Sequence, residues 1–290
     1  MINTDYAVAL HGGAGAVAGR DYTVTERHLR ELTSQCQDQL RSGAVALDVV
    51  EYAVRAMEAS GLYVAGRGSA PNTAGYVELD ASIMNGATRE AGAVAAIRDV
   101  VNPISVARGV MERTPHVMLT GVGALAFATE CGYSVVTDPA TYYVLPVGVR
   151  AEETADQQHG TVGAVAMDEA GRLAAATSTG GTFGKLEGRV GDSPLIGAGT
   201  WADEDVAISC TGTGEHIIRA GGAISVALRV RAGLTLAAAI EELLAEVKRL
   251  GGDGGVIAVS RGGEIAMAYN SEGMKRAAAS SKQALVATTF

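Results

Sequence analysis

In the stretch QQHGTVGAVAMDEAGRLAAATSTGG (157–181), Thr161 follows Gly160 and opens a small, apolar, strand-like run. The segment just before it, VRAEETADQQ, offers almost nothing to bury. The chain passes from a solvated tether straight into a core strand. A threonine hydroxyl is a weak nucleophile at neutral pH and needs an adjacent base. If the chain is cut before Thr161, the new α-amino group is that base, because its reference pKa of about 7.7–8.0 lies near working pH. The bond before Thr161 must then be reachable and able to open, which accounts for the tether. Gly160 adds backbone freedom at that bond. A Gly-Thr step is also an ordinary way to begin a strand, and the dipeptide alone leaves both readings open.

Three further segments carry matching chemistry. ATSTGG (176–181) ends the partner strand of the same hairpin and brings the Ser178 and Thr179 hydroxyls to the start of Thr161's strand. GRVGDSP (188–194) sets Arg189 and Asp192 on one glycine-rich loop. A guanidinium fork suits a carboxylate, and Asp192 suits an ammonium. SCTGTGE (209–215) presents Thr211, Gly212, Thr213 and Gly214 ahead of a helix, a turn that can aim N–H groups at an oxyanion. Taken singly, Arg189 and Asp192 also read as a loop ion pair, and TGTG as a helix entry.

The rest of the chain excludes several alternatives. It has 290 residues, 48% hydrophobic and 19% charged, a globular composition able to bury a substantial core. A net charge of −9 argues against nucleic acid or an anionic membrane as partner. The three cysteines, Cys36, Cys131 and Cys210, show no CxxC spacing, and the five histidines form no HExxH motif. The N-terminus lacks signal-peptide features and no run of about 18 apolar residues occurs, so a cytoplasmic protein is expected. MLTGVGALAFA (118–128) imitates a dinucleotide fingerprint. The next strand-like piece, YSVVT, is short and its acid opens the linker, so a tight strand-to-helix turn is the plainer reading.

Periodicity predicts strands at YAVALH, AGAVAAI, HVMLT and DVAISC. It predicts helices over about 23–42, 46–59, 103–112, 122–128, 215–232 and 235–250. Hairpins are expected at GRGSAPNTAGYVELDASIMNG with NTAG as its turn, at TVGAVAMDEAGRLAAATST, and at GGVIAVSRGGEIAMAYN. Residues 138–159 read as a linker. Strands cluster at each end of both halves with helix pairs between, which fits two sheets enclosed by helices better than a repeating βαβ unit.

Together the segments HGGAG (11–15), ELDASIMNGATREAGAVA (78–95), NPISVARGVMERTPHVMLTGVGA (102–124), HGTVGAVAMDEAGRLAAATSTGG (159–181), GRVGDSPLIGAGTWA (188–202) and SCTGTGE (209–215) resemble the plant-type L-asparaginase and isoaspartyl peptidase family of N-terminal-nucleophile threonine hydrolases. The resemblance covers nearly the whole chain. It implies an α+β fold, a four-layer αββα sandwich in one domain spanning 1–290. It implies self-cleavage between Gly160 and Thr161 into an α subunit, 1–160, and a β subunit, 161–290. Thr161 would be the nucleophile and Thr179 its orienting partner. Thr211 and Gly212 would form the oxyanion hole. Arg189 would bind the substrate α-carboxylate, and Asp192, with the Gly212 and Gly214 region, its α-ammonium. The reaction implied is cleavage of the β-amide of L-asparagine or of β-aspartyl peptides, releasing L-aspartate. A specialised β-aspartyl amide such as β-Asp-Arg, or a non-cleaving binding protein, is the alternative.

The resemblance further implies no organic cofactor and a structural sodium ion held by main-chain carbonyls of Met57, Glu58, Ser60, Tyr63, Ala65 and Arg67. It implies a small-molecule substrate, no nucleic acid or membrane partner, and a homodimer of αβ units. The chain departs from the family pattern at Val64, where Asn is usual, at Asn85, where Asp is common, at Arg67, and at Glu187, where Pro is frequent.

Overall fold

The computed structural model describes residues 5–146 and 160–290. The expected tether falls largely outside the described residues, at 147–159, and His159 with it. Ahead of it, the linker forms one short helix, α5 (Pro139–Tyr142).

Eight strands form a large sheet in the order β12 (Val286–Thr288), β11 (Arg276–Ser280), β1 (Ala7–His11), β5 (Thr161–Met167), β6 (Leu173–Thr179), β2 (Leu79–Asn85), β3 (Ala91–Ile97), β4 (Met118–Thr120). Four more form a second sheet in the order β10 (Ile265–Tyr269), β9 (Gly254–Ser260), β8 (Val206–Gly212), β7 (Thr200–Ala202). β3 and β4 pair in parallel. The hairpin of Thr161 lies at the middle of the large sheet, with β5 against β1 and β6 against β2.

Alternation along each strand sorts the buried residues into three cores. Val162, Ala164 and Ala166 of β5 face one core with Leu29, Val50 and Ile104, from helices α1 (Thr23–Arg41), α2 (Ala46–Ser60) and α3 (Pro103–Arg113). Val165 and Met167 face the opposite way and meet Ala207, Ile257 and Val259 of the smaller sheet. Ile208 and Val256, on that sheet's other face, pack against Val226 of α7 (Gly222–Arg231) and Ile240 and Leu243 of α8 (Leu236–Arg249). The small side chains between the sheets, such as Ala9, Ala175 and Ala278, let the backbones approach closely. The architecture is mixed α+β.

Most predicted elements form where periodicity placed them. α8 starts at a Thr235 cap whose side chain accepts from the Ala238 N–H, worth about 1 kcal/mol. Three expectations are corrected. NTAG does not turn a hairpin: β2 pairs instead with β3, through the turn after Asn85, and NTAG lies in the loop before β2. The helix expected over 215–232 breaks into α6 (Gly214–Arg219) and α7, because Gly221 and Gly222 both take left-handed backbone angles, φ +82° and +47°. GGVIAVSRGGEIAMAYN is not the final strand pair, since β11 and β12 follow it. The glycine motif at 118–128 is a turn from β4 into α4 (Gly121–Glu130), with Gly121 at φ +50°. Among the described residues no helix is long and apolar enough to cross a membrane.

Candidate active site

Thr161 stands directly opposite Thr179, and Thr179 opposite Asp80, across three adjacent strands. Strand alternation turns all three side chains toward the space between the sheets. Thr161 Oγ1 donates to Thr179 Oγ1 at 3.3 Å, and Thr179 Oγ1 donates to the Gly160 carbonyl at 2.6 Å. The Gly181 N–H donates to Thr179 Oγ1 at 2.9 Å and fixes that hydroxyl. One threonine thus touches both the candidate nucleophile and the carbonyl of the bond before it. All of these groups are buried.

A cleft at this end of the sheets is lined by Gly160, Thr161, Thr179, Arg189, Asp192 and Gly212, among others. The structure therefore gathers residues from both halves of the sequence-expected set at one place. Thr211 lies beside Gly212 at the end of β8, fully buried. Its oxygen accepts from the Ala14 N–H at 3.3 Å, which leaves its own proton to be donated. Gly212 has φ +138°, and a Cβ there would strike Asp253 and Gly254. At Gly214 a Cβ would stand 3.0 Å from Asp192 Oδ1 and from the Asp192 backbone nitrogen. The glycines of TGTG let the turn press against the Asp192 loop.

Arg189 is held bidentately by Glu215, Nε to Oε1 at 2.8 Å and Nη2 to Oε2 at 2.9 Å. Burial opposes its charge, but Glu215, together with the nearby Asp192 and Asp80, more than offsets burial and raises its pKa. Asp192 is buried, and burial pushes its pKa up to about 7 despite the nearby Arg189. Its Oδ2 has no hydrogen-bond partner among the described residues. A buried carboxylate oxygen without a donor is costly unless a ligand or water supplies one. Asp80 is raised by burial, partly offset by Lys185 and by the Ala96 N–H at 2.8 Å. Lys185 donates to the Glu78 carbonyl at 2.9 Å, and burial lowers its pKa.

A line of buried polar contacts crosses between the sheets behind the cleft. His11 bridges the Thr161 carbonyl, through Nδ1 at 3.1 Å, and Ser209 Oγ, through Nε2 at 2.9 Å. Ser209 meets Thr177 at 2.7 Å, Thr177 meets Thr200 at 2.6 Å, and Thr200 meets Ser82 at 2.8 Å. Ser82 Oγ donates to the Ser193 carbonyl at 2.6 Å, next to Asp192. Burial drops the His11 pKa to about 3, so the imidazole is neutral. Its Nδ1–H donates to the carbonyl and its Nε2 accepts from Ser209.

Sequence reasoning assigned no role to Asp80, Lys185, Glu215 or His11. A lone carboxylate inside the apolar run LDASIM was the available signal for Asp80. Glu215 could have been suspected from its place in the first turn after TGTG. Nothing local marks Lys185.

The loop expected to hold sodium leaves the C-terminus of α2. Ser60 Oγ donates to the Met57 carbonyl at 2.8 Å, the Gly68 N–H to Ala65 at 3.2 Å, and the Val144 N–H to Arg67 at 2.9 Å. A Cβ at Gly66 would strike the Glu58 backbone, and one at Gly68 the Tyr63 carbonyl, so the loop folds tightly on its own main chain. The Glu58 carboxyl faces away, accepting from Asn102 Nδ2 at 3.0 Å and the Ile104 N–H at 3.1 Å, and burial pushes its pKa up to about 8. No cluster of three or more His, Cys, Asp or Glu that would hold a metal occurs among the described residues. A set of carbonyl donors fits a hard, weakly charged cation.

The family model described as asparaginase matches residues 4–288. The isoaspartyl peptidase of Salmonella typhimurium is 47% identical, over 93% of this chain and 94% of that protein. The isoaspartyl peptidase of Escherichia coli K12 is 44% identical, over 93% and 91%. A probable isoaspartyl peptidase/L-asparaginase 2 of Arabidopsis thaliana is 40% identical, over 94% and 95%. Six of the expected residues, Gly160, Thr161, Thr179, Arg189, Asp192 and Gly212, line one cleft, and these likenesses run the length of the chain: it belongs to the asparaginase family of hydrolases.

Proposed function

We propose that the protein hydrolyses the β-amide of L-asparagine and of β-aspartyl peptides, with Thr161 as an N-terminal nucleophile freed by self-cleavage. The observation that carries this reading is the Thr179 hydroxyl, set between Thr161 Oγ1 and the Gly160 carbonyl. In the first step Thr161 Oγ attacks the Gly160 carbonyl carbon, which Thr179 polarises. The C–N bond breaks, the hydroxyl proton ends on the Thr161 nitrogen, and an ester joins Gly160 to Thr161. Water opens that ester, giving a Gly160 carboxylate and a free Thr161.

In turnover the Thr161 α-amine takes the proton of its own hydroxyl, and Oγ attacks the substrate β-carbonyl. Thr211 Oγ1–H and the Gly212 N–H donate to the oxyanion. The departing ammonia or amine carries the proton away, and water hydrolyses the aspartyl ester to L-aspartate. Arg189, its plane fixed by Glu215, reads the α-carboxylate. The partnerless Oδ2 of Asp192 accepts from the α-ammonium.

The three cores support the finer reading of the fold as the four-layer αββα sandwich of the N-terminal-nucleophile hydrolases, one domain cut into 1–160 and 161–290. Carbonyls of Met57, Glu58, Ser60, Tyr63, Ala65 and Arg67 would hold a sodium ion that orders the loop beneath Val64. The reading places the enzyme in the cytoplasm as a dimer of αβ units. Exposed Val117 and Val122 beside the edge strand β4 supply apolar surface for the pairing.

A substrate panel tests the proposal. L-Aspartate should be released from asparagine or a β-aspartyl dipeptide, and not from the N-acetylated counterpart. Equal turnover of the acetylated substrate would remove Asp192 from its role.

A further inference from the structure

Gly160 and Val64 are separated by almost a hundred residues, yet they touch. A Cβ placed on Gly160 would fall well inside contact distance of Val64 Cβ and Cγ2. Val64 is itself buried. Its carbonyl accepts from the Gly180 N–H at 2.9 Å and lies 3.5 Å from Thr179 Oγ1. Gly180 is equally enclosed, since a Cβ there would strike the side chain of Ser69. Val64 therefore meets the scissile segment twice. Its side chain walls Gly160, and its carbonyl fixes the strand end that carries Thr179.

We propose that Val64 is a positioning residue for self-cleavage: its isopropyl group presses the Gly160 peptide against Thr179 and makes glycine obligatory before the cut. The proposal rests on the reading that the chain cleaves itself between Gly160 and Thr161. Packed interiors tolerate little added volume, so the wall is stiff. A methyl on Gly160 is accommodated only by moving the Gly160 carbonyl away from Thr179, or by moving Val64 and with it the Gly180 anchor. Either change spoils the alignment of the attacked carbonyl. Val64 acts through Gly160 and Thr179 and touches no substrate group in this account.

The test is a steric suppressor experiment on the whole chain, read as the rate at which the intact band converts to two fragments. Gly160→Ala should slow conversion at least about tenfold, the scale expected for overpacking a tight site. Val64→Ala in the Gly160→Ala background should recover a large part of that rate. Val64→Leu with Gly160 intact should slow conversion in the same direction as Gly160→Ala. Thermal melting of each variant, with Thr161→Ala as an uncut reference, shows that the fold is kept. If Gly160→Ala cuts at the wild-type rate, or if Val64→Ala gives no recovery in a folded double variant, the proposal is overturned. An unchanged rate in Val64→Leu also overturns it. If the wild-type chain itself never cuts, the underlying reading fails instead, and the two failures are distinguishable.

Discussion

The proposed nucleophile, Thr161, and the proposed clamp, Arg189 and Asp192, lie in one cleft but are built differently. The groups that hydrogen-bond Thr161 and Thr179 are neutral: two threonine hydroxyls, main-chain amides and carbonyls, and a His11 held uncharged. Their positions follow from strand register, which fixes Thr161 opposite Thr179 and Thr179 opposite Asp80. The clamp is made of charges on loops. Arg189 is tied to Glu215, and Asp192 is buried with its pKa near the middle of the working range. In the proposed mechanism self-cleavage needs only the first region, whereas substrate recognition needs both. The two should therefore respond differently to mutation and to pH.

The largest effect is expected at the nucleophile. Thr161→Ala should stay a single chain and release no aspartate, because both steps use the same oxygen. Measurable cleavage or turnover in this variant would break the distinction between the regions. Arg189→Ala should separate them. A buried charged contact left half paired costs about 2–5 kcal/mol, which should appear in kcat/KM while conversion to two fragments proceeds. A block of conversion in this variant would show that the clamp also serves maturation.

Asp192 sharpens the comparison through pH. Burial raises its pKa from an ordinary 3.8 to about 7. Below that value the carboxyl is protonated and cannot pair with an ammonium. The kcat/KM profile should therefore rise through an ionisation near 7, in addition to that of the Thr161 amine. The stability consequence has the opposite sign. The folded carboxyl stays protonated while the unfolded one ionises, so stability falls as pH climbs from about 4 toward 7. Asp192→Asn should remove that slope and lower activity, and retention of the slope would assign it elsewhere. Glu215→Gln is the mildest change, because Glu215 is 54% exposed and such pairs are worth about 0–1 kcal/mol. A severalfold rise in KM with kcat unchanged is expected. A fall in kcat alone would place Glu215 with the oxyanion turn and not with Arg189.

The contrast also explains what was legible in the sequence. The hairpin of Thr161 could be read because strand period and a short turn bring Thr179 to Thr161 over a separation of only 18 residues. Arg189, Asp192 and the TGTG turn were marked by glycine-rich loops next to charge. Glu215 and Asp80 reach the site through contacts that no local pattern encodes. Asp80 depends on the pairing of β2 with β6, and the sequence favoured a different hairpin around NTAG. The left-handed break at Gly221 and Gly222 was hidden inside an amphipathic run continuing on both sides. Val64 stood out only as a departure from the family pattern. Its contact with Gly160 emerges when both halves of the chain are folded together.

The central claim is that the active protein carries Thr161 as a free N-terminus. Mass spectrometry of the fully active protein, with N-terminal sequencing of each fragment, tests it most directly. The account predicts two fragments, the second beginning at Thr161 with an unblocked amine. Full activity in a sample that contains only the uncut chain would contradict it.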